Sequence, residues 1–106
     1  MKHTHYLHPG EILKTDYLDG HGMSVKAAAE AMHIPRSRLN DIVRGKRGIT
    51  AGTALHLAQF FGGSATFWTN LQSHYDLAEA QAVASKTLKG IRPIEAWLAK
   101  HGHAEV

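Results

Sequence analysis

The chain contains no cysteine, which excludes disulfides, thiolate zinc sites and a thiol nucleophile and leaves packing as the source of stability. It also lacks any apolar run near the ~18 residues that a membrane span requires, and its first residues, MKHTHYLHPG, lack the apolar stretch of a signal peptide. We therefore expect a soluble, cytoplasmic protein with no membrane partner. Alternating β-branched segments are absent, so no strand competes with helix. No acid, base and nucleophile cluster together, which argues against an enzyme, and no cofactor motif is present. At 106 residues the chain has room for one modest core.

Charge is abundant in one place. Arg36 to Arg47 reads RSRLNDIVRGKR, five basic residues against the single acid Asp41. The whole chain has 12 Lys plus Arg and 9 Asp plus Glu, so seven basic and eight acidic residues are left for the remainder. A nearly neutral body carrying one basic strip is a directed electrostatic footprint, suited to phosphate, rather than general cationic character.

The apolar pattern predicts an all-α fold. A first helix starts at Pro9, carries Ile12, Leu13 and Tyr17, and ends at Asp19-Gly20-His21-Gly22. Ser24 caps a second, with Val25, Ala28, Ala29 and Met32 on one face; the two central alanines allow a close helix crossing. His33-Ile34-Pro35 breaks it, and a third helix packs through Leu39, Ile42 and Val43 before Gly45 closes its end. Two short helices, a tight turn and a basic outer face on the second make a helix-turn-helix. Thr50 caps a fourth helix with Ala54, Leu57, Ala58 and Phe61, stopped by Gly62-Gly63. Ser64 caps a fifth with Phe67, Trp68, Leu71 and Tyr75. After Ala84 the segment SKTLKG reads as a mobile connector to a short helix over Ile91 to Lys100 holding Ile94, Trp97 and Leu98. The expected division is thus a tail at 1–8, a helix-turn-helix domain at 9–84 and a connector with a short helix at 85–106.

Four segments, HPGEIL at His8 to Leu13, the helix-turn-helix from Ser24 to Gly45, GKRGIT at Gly45 to Thr50, and FWTNLQSHYDL at Phe67 to Leu77, occur in this order. With them the chain resembles the HigA (VapI-type) antitoxins of the XRE, or lambda-repressor-like, helix-turn-helix group. Two positions depart from that pattern: Pro35 stands where a serine or threonine cap is frequent, and Ala28 where leucine is common. The resemblance implies a five-helix lambda-repressor-like DNA-binding domain with a short C-terminal helical extension, usually dimeric. It also implies repression of the protein's own operon and direct neutralisation of a RelE-like ribonuclease toxin, HigB. A free-standing XRE-family transcriptional regulator without a toxin is the alternative.

If the third helix enters the major groove, its N-terminal side chains meet base edges first, so Arg36, Ser37, Arg38 and Asn40 are the candidate base readers. Arg can contact guanine O6 and N7 in bidentate fashion, and Asn adenine N6 and N7. Arg44, Lys46 and Arg47, at and beyond the helix end, are candidate phosphate anchors. Ser24 and Thr50 either present helix N-terminal amides to phosphate or serve only as caps. Asp41 would be repelled by phosphate and is read as an ordinary surface residue, able to accept from a cytosine amino group or orient an Arg. Trp68, Leu71 and Tyr75 are either core or a dimer seam. A homodimer would place two recognition helices about 34 Å apart on an inverted-repeat operator in double-stranded DNA. The nine histidines, including His3, His5, His101 and His103 near the ends, form no well-spaced ligand set, so no metal is expected.

Overall fold

A computed structural model describes residues 7–102 of the chain, which are helical with no strand. α1 (Pro9–Ile12) is capped by His8, whose Nδ1 accepts the Gly10 N–H at 2.9 Å. His8 is therefore not part of a tail: its ring caps the start of the helix and packs against Tyr75, and only 5 % of it is exposed. The helical path then widens into a π-helical stretch, Leu13–Leu18, and tightens into a 3-10 turn, Asp19–His21. Leu13 and Leu18 are both fully buried. Five residues apart, they would diverge on a regular α-helix, and the wider i→i+5 turns bring them to one face.

α2 (Val25–Met32) starts at Ser24, whose hydroxyl accepts the Ala27 N–H at 3.1 Å. It stops at His33, a non-glycine residue with φ of 58°. There the N–H groups of His33 and Ile34 donate back to Glu30 and Ala29 carbonyls, closing the orphan ends of the helix while Ile34 folds into the core. His56 Nδ1 donates to the Met32 carbonyl at 2.7 Å from the fourth helix. Pro35 then opens α3 (Arg36–Val43), without a side-chain cap. This short turn fixes how α3 leaves α2.

α4 (Ala51–Phe61) and α5 (Ala65–Lys89) begin at Thr50 and Ser64, each hydroxyl accepting an N–H three residues ahead at 3.2 Å. The core comprises Leu13, Leu18, Ala28, Ala29, Met32, Ile34, Leu39, Ile42, Ile49, Ala54, Leu57 and Trp68. Each fully buried Leu or Ile contributes on the order of 1.5–3 kcal/mol. Ala28 and Ala29 of α2 belong to this core, both essentially inaccessible.

Among the described residues, no apolar side chain beyond Leu71 packs against that core. α5 nevertheless runs unbroken through the residues expected to form a connector: Ser85–Lys89 are its last turns. Nothing in that stretch interrupts a helix until Gly90, and Lys86 and Lys89 sit in the last turn, where cations offset the helix dipole. The 25-residue helix, roughly 37 Å long, projects from the body and gives extents of 61 × 33 × 22 Å. α6 (Ile94–His101) follows Pro93, later than the expected start at Ile91, since Pro93 occupies its cap. No helix among the described residues is long and apolar enough to cross a membrane.

Candidate nucleic-acid interface

α3 and the loop after it share the basic strip: Arg36 and Arg38 stand on the helix, and Arg44, Lys46 and Arg47 at and beyond its end. Leu39 and Ile42 are fully buried, which sets the helix rotation. Arg36, Ser37 and Arg38 are exposed; Asn40 and Asp41 are half-buried. Three and four residues apart, Ser37, Asn40, Asp41 and Arg44 share the arc opposite the buried pair, with Arg36 and Arg38 on its flanks. Asp41 thus stands on the outward arc of the helix, not at its margin. Its carboxylate would repel phosphate, whereas a cytosine amino group is a partner it can accept from.

Beyond α3, Gly45 adopts φ of 76° and redirects the chain, while the Lys46 N–H donates to the Asp41 carbonyl at 2.8 Å. Arg44, Lys46 and Arg47 are exposed. Among the described residues, none of the five basic side chains of this segment makes an ion pair. Their charge is not neutralised internally, so it acts on the solvent side, where it favours a polyanion and scales with salt.

The loop is itself anchored. Ile49 is buried, and its N–H donates to Gln72 Oε1 on α5 at 2.7 Å. Gln72, Tyr75 and Asp76 face Lys46, Arg47 and Thr50 across a depression of about 430 Å³ that also includes His8. Gln72 lies within FWTNLQSHYDL, yet its sequence neighbours give it no role, because its partner lies far away in the chain. Only the spacing of the motif could have drawn attention to it.

The remaining candidates are placed as follows. The hydroxyls of Ser24 and Thr50 are engaged as caps, while both residues remain exposed. Trp68 is 1 % exposed and packs against Tyr17 at 4.8 Å between ring centroids, so it belongs to the core. Leu71 borders the same core. Tyr75 is half-buried and meets His8 edge-on at 4.9 Å. The stripe of three therefore runs from the core to its margin, and Trp68 cannot serve as an open seam. His3, His5 and His103 lie outside the described residues, and within these no group of three His, Asp or Glu side chains could hold a metal ion.

Comparison with known proteins agrees with this geometry. The Helix-turn-helix family model matches residues 16–68. Virulence-associated protein I of Dichelobacter nodosus is 53% identical over 75 residues, covering 71% of this chain and 69% of the relative. Antitoxin HigA-1 of Vibrio cholerae is 33% identical over 85 residues, 80% of each chain. The antitoxin HigA of Pseudomonas aeruginosa, solved with the higBA promoter, is 44% identical with a TM-score of 0.80, over 82% of this chain and 96% of that one. With its basic recognition helix, its fold and these relatives, the chain belongs to the HigA antitoxin family of helix-turn-helix DNA-binding proteins, which are regulators and not enzymes.

Proposed function

We propose that the protein is the antitoxin of a type II toxin-antitoxin pair, which binds operator DNA in its own promoter as a homodimer and neutralises a RelE-like HigB ribonuclease by direct contact in the cytoplasm. The observation that carries the DNA half is α3, whose exposed side bears Arg36, Ser37 and Arg38, with no ion pair to either Arg among the described residues, while Leu39 and Ile42 fix its rotation. In this reading Arg36, Ser37, Arg38 and Asn40 reach base edges, and Arg44, Lys46 and Arg47 grip phosphates. Ser24 and Thr50 add backbone amides at the starts of α2 and α4.

A single recognition helix covers few base pairs, which favours a two-fold pair on an inverted repeat. The projecting part of α5 and α6 supports that pairing with a second copy. Leu77, Val83, Leu88, Ile91 and Ile94 are each more than half exposed there, a surface that a monomer leaves in water and a dimer covers.

The test is twofold. The purified protein should protect an inverted repeat in its own promoter, and co-expression should rescue cells from the adjacent small basic reading frame. Binding without rescue, beside a harmless neighbour, would instead favour a free-standing XRE-family regulator.

A further inference from the structure

The two outer motifs, HPGEIL and FWTNLQSHYDL, lie at opposite ends of the helix-turn-helix in sequence, yet both converge on the loop that follows α3. His8 packs edge-on against Tyr75 at 4.9 Å, and a Cβ on Gly45 would lie 3.9 Å from the His8 ring. Gln72 Oε1 accepts the Ile49 N–H at 2.7 Å, and Gln72 Nε2 donates to Asp76 Oδ1, one helical turn on, at 2.8 Å. The second bond leaves the amide oxygen as the end that faces the loop. Gly48 fits against the same amide: a Cβ there would come within 3.0 Å of both its carbon and Nε2.

We propose that Gln72 is a positioning residue for DNA binding: oriented by Asp76, it holds the loop 45–50 on α5, so that Lys46 and Arg47 meet phosphates in register with the recognition helix. The proposal rests on the DNA-binding reading given above. The ties of the loop include one to the end of α3 through Lys46 N–H and the Asp41 carbonyl, one to the core through Ile49, and one to α5 through Gln72. Of these, only the Gln72 tie is a side-chain hydrogen bond from outside the helix-turn-helix. A loop ordered before DNA arrives loses little conformational freedom on contact, so its two cations act at full strength.

Promoter-fragment binding measured between about 50 and 200 mM salt tests this with the full chain, comparing Gln72→Met, Asp76→Asn, Lys46→Ala and the pair Q72M/K46A. Gln72→Met keeps the volume and removes the acceptor. It should weaken binding about tenfold and flatten the salt slope by about one unit. The ranking of single-base operator variants should stay near that of the parent; the thermal midpoint should fall by about 4–8 °C, because the Ile49 N–H loses its acceptor, with the protein still folded at the assay temperature. Asp76→Asn keeps an acceptor for Gln72 Nε2 and should bind as the parent does. Lys46→Ala should cost less in the Gln72→Met background than alone, since both act through one loop. Gln72→Met with parental affinity and slope would overturn the proposal. So would a loss that only tracks a falling folded fraction, because that is a structural role. Failure of the unsubstituted protein to bind any promoter fragment would instead remove the DNA reading itself.

Discussion

Gly10 allows the most severe test of how the recognition helix is held. A Cβ built on it would lie 1.8 Å from the Ile42 carbonyl oxygen and 2.7 Å from the Ile42 carbonyl carbon. Ordinary contact begins near 3.4 Å, so Gly10→Ala must separate α1 from α3 by roughly 1.6 Å or tilt one of them. Neither obstructing atom belongs to a flexible side chain. Overpacking by one methyl group costs about 1–3 kcal/mol where neighbours can give, and backbone against backbone belongs at the upper end. The His8 cap on Gly10 N–H would be strained as well, at about 1 kcal/mol, while the higher helix propensity of alanine returns up to ~1 kcal/mol. The net is about 3 kcal/mol, or a fall in thermal midpoint of about 10–20 °C for a domain of this size. Circular dichroism melts and urea titrations measure both figures. Gly52→Ala is the control: its Cβ would meet only the Thr50 hydroxyl at 3.9 Å, so stability should rise by up to ~1 kcal/mol. A Gly10→Ala protein that melts within about 3 °C of the parent would refute the direct contact of α1 with the α3 backbone.

Other expectations follow from the same geometry. Lys46→Ala should weaken binding to all DNA sequences alike and lower the salt slope by about one unit, measured by anisotropy titrations. Arg38→Ala should cost about 1–3 kcal/mol at one operator position and leave binding to unrelated DNA nearly unchanged, read from single-base operator variants. His33→Gly should raise stability by up to ~1 kcal/mol in urea titrations, since the left-handed backbone at 58° no longer carries a side chain. Leu77→Asp combined with Leu88→Asp should shift gel filtration toward monomer while far-UV circular dichroism shows the helices retained, because both residues are exposed in a single chain.

The parts of the fold readable from sequence are those set by local chemistry. Ser24, Thr50 and Ser64 each cap a helix with an N–H three residues on, a pattern that needs no tertiary knowledge. The α3 apolar pair Leu39 and Ile42 is likewise buried as its spacing implies. What the sequence hides depends on distant partners. Leu18 enters the core only because the first helix widens to a π-turn, a choice made by packing and not by propensity. The left-handed His33 would be expected as glycine, and its cost is met by the carbonyls that it and Ile34 satisfy. Ser85–Lys89 has the composition of a linker but lacks any residue that stops a helix. Within the site, the charge of α3 is legible, whereas the outward position of Asp41 follows from which side is buried. The tie of Gln72 to Ile49 crosses 23 residues and leaves no periodic trace.

In the proposed complex α3 reads an operator while the following loop holds the DNA backbone. Footprinting of the purified protein on the promoter of its own gene, repeated with Arg38→Ala, tests it most directly. The expected result is two protected half-sites centred about 34 Å apart, one helical turn, weakened by rising salt and lost selectively with Arg38→Ala. Uniform protection without a preferred site, or a footprint indifferent to Arg38 and to salt, would contradict it.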